Sequence, residues 1–147
     1  MRKSVQFLLL FLMCISTSWT WASDAPERTV LFNMGDYDSQ YWRIPALVTA
    51  ADNSLVAVVD KRGSSLGDLP NTISIMSRRS TDNGKNWSEP VVVAQGGNGK
   101  TYGDPAVVLD KKTGNLIWMF VGDQGLWTAT PYNRQGIYVS TSTDTGV

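Results

Sequence analysis

Four polar residues and one aromatic in this chain have the type and setting to do chemistry. Arg43 stands in Tyr41-Trp42-Arg43-Ile44-Pro45. A guanidinium there offers two parallel donors that match the oxygens of a carboxylate. Its plainer use is to lay its stem on Trp42 with the head in water. Asp68 follows Arg62 by six residues, on a polar loop with glycines at 63 and 67 and Pro70. A carboxyl on such a loop can swing onto a leaving-group oxygen, and closure around a substrate would raise its pKa; a solvated loop carboxylate is the alternative. Asp104 precedes Pro105 in Tyr102-Gly103-Asp104-Pro105, a pairing common in turns. Trp127, in Gly125-Leu126-Trp127, either lines a pocket or is a core or edge tryptophan. The chain has no histidine and a single cysteine, Cys14, so the usual soft metal ligands are missing and neither metal nor organic cofactor is expected.

The elements that must position these residues are strands. Runs of Val, Ile, Thr and Trp broken by Gly, Asn and Asp turns, with no helical periodicity, predict an all-β chain. Strands are expected at about 29–34, 46–51, 54–61, 72–79, 89–95, 105–110, 115–122 and 136–141. The clearest turn is Ser80-Thr81-Asp82-Asn83-Gly84-Lys85-Asn86-Trp87. Asp82 and Asn83 can hydrogen-bond nearby backbone amides, Gly84 accepts a positive φ, and Trp87 has an apolar face to bury. Ser142-Thr143-Asp144-Thr145-Gly146 begins the same pattern near the C-terminus. Pro45-Ala46-Leu47-Val48 pairs with Pro105-Ala106-Val107-Val108 at a spacing of 60 residues (105 − 45). Self-similarity at this period predicts stacked four-stranded units, the blades of a propeller.

Two motifs then resemble one family. Ser-x-Asp-x-Gly-x-x-Trp resembles the Asp box, a turn of sialidase-type β-propellers that usually lies far from the active site. Tyr-Trp-Arg-Ile-Pro resembles the Phe/Tyr-Arg-Ile-Pro motif of sialidases, with an extra aromatic before the arginine. The resemblance implies an exo-α-sialidase with about two blades present of a probable six. By it, Arg43 is one of three arginines gripping the sialic acid carboxylate, and Arg62 contacts the region of the sugar's 4-hydroxyl. Asp68 is the general acid/base, Asp104 faces the sugar near its 4-hydroxyl and N-acetyl groups, and Trp127 lines the same side of the pocket. The family's tyrosine nucleophile with its glutamate, and two further arginines, have no counterpart here; Tyr102, Tyr132 and Tyr138 lie too early to be that tyrosine. A carbohydrate-binding propeller without catalysis and a trans-sialidase are the alternatives.

Residues 1–22 have the anatomy of a secretory signal peptide. Arg2 and Lys3 precede an apolar run from Val5 to Ile15, and Ala22 offers a cleavage point. A secreted or periplasmic protein is expected, with no membrane span after removal of the signal; an uncleaved N-terminal anchor is the alternative. Residues 23–147 are expected to be the N-terminal part of the propeller, cut at the second box and inactive alone. With 13 basic and 13 acidic residues, nothing in the charge points to a nucleic acid partner; sialylated glycans are the partners the resemblance implies.

Overall fold

The structure is a computed structural model that describes residues 27–63 and 65–146; the expected signal peptide lies outside them. Seven strands form two antiparallel sheets: β1 (Tyr41–Thr49), β2 (Leu55–Arg62), β3 (Ile73–Ser80) and β4 (Val91–Ala94), then β5 (Tyr102–Leu109), β6 (Leu116–Asp123) and β7 (Gln135–Ser142). Each sheet is a simple meander, in the orders β1-β2-β3-β4 and β5-β6-β7. The all-β expectation is borne out. Side chains alternate across a strand, and in β2 one face carries Val56, Val58, Asp60 and Arg62. Val56 and Val58 pack with Ile75 of β3 and with Leu116, Trp118 and Phe120 of β6 to form the core between the sheets. Toward the C-terminal end of β2 that same stripe turns from apolar to ionic.

Two expectations are corrected. Residues 29–34 form no strand. Their carbonyls serve side chains instead of a ladder: the Leu31 oxygen accepts Arg78 Nη1 at 2.5 Å and the Asn33 oxygen accepts Trp42 Nε1 at 2.9 Å. Phe32 packs on Trp42 with ring centroids 4.5 Å apart. The strand expected from residue 46 begins at Tyr41 and runs through Pro45. Proline removes a ladder donor and is normally kept out of paired strands except at edges and bulges. Here a bulge accommodates it: Arg43 pairs with Asp60 and Ala46 with Val58, so one extra residue is inserted in β1. β5 has the same device, with Gly103 opposite Val121 and Ala106 opposite Met119. The residue before each proline has a positive φ, 54° at Ile44 and 55° at Asp104.

The turn after β3 folds as its residues dictate. Asn83 and Gly84 take positive φ; Ser80 Oγ donates to Asp82 Oδ1 and accepts the Gly84 N–H, both at 2.8 Å. Asp82 accepts the Asn86 N–H at 2.8 Å, and Trp87 Nε1 donates to the Gly84 oxygen at 3.0 Å. Ser142 to Gly146 has matching bonds: Ser142 Oγ donates to Asp144 and accepts the Gly146 N–H at 2.8 Å.

Candidate active site

The ends of the sheets opposite these turns hold the ionic cluster. Asp60 and Arg62, two apart on one strand, share a face and lie sealed between the sheets, each side chain 0% exposed. Arg62 Nε and Nη2 both donate to Asp60 Oδ2, at 3.1 and 2.7 Å. Its Nη1 donates to the carbonyls of Leu66 and Gly67 at 2.9 and 3.1 Å and to Asp68 Oδ1 at 2.6 Å. Burying an arginine so completely demands a counter-ion and satisfied donors. Asp60 supplies the charge, and the loop carbonyls take the rest. Burial pushes the Asp60 carboxyl up to about 6, against the pull of Arg62, which leaves it ionised at neutral pH.

Arg43 reaches the same loop from β1. Its Nη1 donates to the Leu66 oxygen at 3.1 Å and to Asp68 Oδ1 at 3.4 Å. The Arg43 side chain is 42% exposed, and its Nε and Nη2 make no protein hydrogen bond among the described residues. Asp68 is 69% exposed, and the Arg62 hydrogen bond, followed by the charges of Arg62 and Arg43, holds its carboxyl below the usual range. Three of the residues singled out from sequence thus meet around one carboxylate.

The loop that carries Asp68 is pinned rather than free to swing. Leu69 is buried and inserts toward the second sheet, where a Cβ on Gly103 would lie 2.8 Å from its Cδ1. A Cβ on Gly125 would lie 1.9 Å from the Leu69 oxygen, so only glycine lets the two loops touch. Thr101 Oγ1 donates to the Asn71 oxygen and accepts the Ile73 N–H.

Asp104 joins the cluster through its backbone. Its side chain is exposed, and its N–H donates to Asp60 Oδ1 at 3.1 Å across the sheets. Trp127 is 93% exposed on the loop between β6 and β7, and no hydrogen bond or ring contact ties it to the cluster among the described residues. Tyr138 donates to Asp123 and packs edge-on to Tyr102 with centroids 5.4 Å apart. The residue that sequence reasoning passed over is Asp60. Its part depends on the burial of Arg62 between the sheets, for which a single strand carries no signal. Among the described residues no group of His, Cys, Asp or Glu could hold a metal ion, and no helix is long and apolar enough to cross a membrane. A cavity of ≈ 410 Å³ lies at the other end of the sheets, lined by Asp82, Asn86, Trp87 and Gly146 among others; it lacks the convergent charges of the Asp68 cluster.

Two antiparallel meanders, one of four strands and one of three, packed face to face with charged residues gathered at one end, define a β-propeller of which part of the blade set is present. Comparison with known proteins makes this specific. The chain is 36% identical over 118 residues to a sialidase of Micromonospora viridifaciens, covering 72% of this chain and 18% of that protein. It is 35% identical over 108 residues to a sialidase of Bacteroides fragilis (strain YCH46), covering 63% of this chain and 19% of that protein. Among solved structures, Hadza microbial sialidase Hz136 superposes with a TM-score of 0.69 at 32% identity, over 77% of this chain and 25% of that one. No protein-family model matches the chain. The chain belongs to the sialidase family and spans about a fifth of the two curated relatives' length.

Proposed function

We propose that this chain contributes the proton donor and one carboxylate ligand to an exported exo-α-sialidase, which removes terminal sialic acids from glycoconjugates with retention of configuration. The observation that carries this reading is the meeting of Arg43 and Arg62 on Asp68, at 3.4 and 2.6 Å. Arg43 is part-exposed and, among the described residues, has Nε and Nη2 left over, as a ligand for an incoming carboxylate needs. At rest the arginines keep Asp68 ionised. A bound sialoside places its own carboxylate on Arg43 and shields Asp68 from water; both changes raise the Asp68 pKa and let it carry a proton. Asp68 then protonates the leaving oxygen while a tyrosine attacks the anomeric carbon, and afterwards it deprotonates the attacking water. A tyrosine nucleophile is the recognised exception to the usual carboxylate pair, and being neutral it is not repelled by the sugar's carboxylate. That tyrosine, its glutamate and two arginines must come from elsewhere in the protein, so the 147-residue chain alone is expected to be inactive. Asp104 and the mouth of the second sheet would face the sugar; Arg62, expected to contact the region of the 4-hydroxyl, is sealed with its donors on Asp60, Asp68 and the loop carbonyls and would instead act from behind Asp68. The two Ser-x-Asp-x-Gly turns would be Asp boxes, structural and remote from the sugar.

The test is leaving-group dependence in the full-length protein. Asp68→Asn removes a proton donor at nearly constant size. General acid catalysis contributes about 10²–10⁴-fold, so kcat on a sialyl-galactoside should fall by that order. An aryl sialoside, whose phenolate departs unaided, should lose far less. Equal losses on the two substrates would remove Asp68 from the role of acid.

A further inference from the structure

We propose that Asp60 is the positioning residue of this site, a single buried carboxylate that sets the arginine behind Asp68 in one sheet and the Asp104 backbone in the next. The inference rests on the proposed sialidase reading for its kinetic part only. Its two oxygens divide the work. Oδ2 receives Arg62 Nε and Nη2, at 3.1 and 2.7 Å. Oδ1 receives the Asp104 N–H at 3.1 Å.

That N–H is available because of the bulge. Residues 104 and 105 drop out of the β5–β6 pairing, and at φ 55° the Asp104 amide turns to the neighbouring sheet. An N–H withdrawn from water without an acceptor is costly, and for this partly buried one Asp60 is the acceptor. Gly103 beside it is required by the Asp68 loop rather than by Asp60: a Cβ there would meet Leu69 Cδ1 at 2.8 Å, whereas Asp60 Oδ2 at 3.6 Å would be in ordinary contact. The carboxylate therefore spans the seam between the two sheets at the level of the active-site mouth. Sheet separation, Arg62 orientation and the bulge at Asp104 are coupled through three hydrogen bonds to one side chain.

The electrostatic consequence is specific. The charged groups facing Asp60 are Arg62 on its own strand and Asp104 across the seam; those facing Asp68 are Arg62 and Arg43. Arg62 divides its attraction between Asp60 and Asp68. Neutralising Asp60 leaves Arg62 with Asp68 as its one buried-side counter-charge, so Asp68 must be held more firmly as a carboxylate. Removing both charges at the seam has the opposite effect.

The test uses carboxyl NMR titration and amide hydrogen exchange on the full-length protein, beside kinetics. In Asp60→Asn, the Asp68 titration should move to lower pH. The loss of kcat should be about tenfold greater for a sialyl-galactoside than for an aryl sialoside, because only the first needs the proton. A merely structural role would lower both rates together and leave the titration in place. Should Asp60→Asn not fold, because Arg62 is then buried unpaired, the pair Asp60→Ala with Arg62→Met decides. There the Asp68 titration should return toward the ordinary range and the Asp104 amide should lose exchange protection. An unmoved Asp68 titration in the variant that folds, or an Asp104 amide still protected in the pair, would overturn the proposal. The shifted titration in a protein that never cleaves sialosides would instead leave Asp60's role standing and remove the sialidase reading.

Discussion

The two ends of these sheets obey different rules. At the turn end, positive φ falls on residues that tolerate it, Asn53, Asn83, Gly84, Gly114 and Gly146, with Thr145 as the β-branched exception. At the mouth end it falls on Tyr37, Ile44, Asp104 and Asp123 as well. A β-branched residue at φ 54° is an outlier that costs about 1–3 kcal/mol and must be held in place by its surroundings. The carboxylates differ as well, although at the mouth it is Asp60 that is raised while the exposed Asp68 is held down by Arg62 and Arg43. Asp52, Asp82 and Asp110 at the turn end are held below their usual range by bonds within their own or the adjoining turn. Asp60 at the mouth is pushed up by burial. The turn end is satisfied locally, whereas the mouth depends on contacts between the sheets. Strain and buried charge collect where a site is built, and the rest of the fold supports them.

The comparison is most easily broken at the mouth, by moving a backbone. Gly125→Ala should cost the most. Its Cβ would fall 1.9 Å from the Leu69 oxygen, which forces the Asp68 loop to shift. A misplacement of about 1 Å near the chemistry can cost about a hundredfold in rate. We expect kcat/KM on a sialoside to fall by that order while circular dichroism retains the native β spectrum. A rate within twofold of the parent would show that the two loops do not depend on each other.

Arg43→Lys comes next. It keeps the charge at the mouth and loses the two-pronged donor. A charge-assisted hydrogen bond is worth about 1.5–3 kcal/mol, so kcat/KM should fall about ten- to a hundredfold. Retention of full activity with lysine would mean that a point charge suffices and no carboxylate is gripped.

This contrast also explains what could be read from the chain. The turn from Ser80 to Trp87 was legible because each residue there follows local chemistry. Strand β2 was placed within a residue of its ends because its apolar run is unbroken. The order Arg43, Arg62, Asp68 was legible as a motif, and the fold brings those three together. What escaped was non-local. Phe32 belongs to a capping segment because its partner Trp42 lies ten residues on, and no strand is available beside it. The first paired strand was expected only after Pro45, from residue 46, because a bulge cannot be read from one strand. Asp60 was unremarkable until Arg62 proved to be buried, and that burial is created by a sheet more than 40 residues away in sequence.

At the turn end the expected effects are smaller and confined to stability. Ser80→Ala leaves the Gly84 N–H without its acceptor; a buried donor left unpaired costs about 1–3 kcal/mol. Thermal denaturation should show that loss, with kcat/KM per folded molecule unchanged. A fall in activity at full occupancy of the folded state would mean that the two ends communicate.

The smallest effect expected is a change in acid sensitivity. Bonds from the Asn86 backbone and side chain and from Ser80 lower the Asp82 carboxyl from 3.8 to about 2. The folded protein therefore binds fewer protons here than the unfolded chain between those values. A group depressed in this way contributes stability that is present above its ordinary pKa and is lost as pH falls through the folded one. Asp82→Asn should lower stability at pH 7 and flatten its fall between pH 4 and 2, so that the two proteins converge in acid. Asp60 has the opposite sign. Its raised carboxyl favours the folded state most at low pH, and that contribution fades as pH rises from about 4 through about 6. In denaturant titrations, a stability difference between parent and Asp82→Asn that stayed constant from pH 7 to pH 2 would show that Asp82 acts through size or geometry alone. The division between a hydrogen-bonded turn end and a buried, ionic mouth would then rest on the mouth's chemistry without an electrostatic counterpart at the turns.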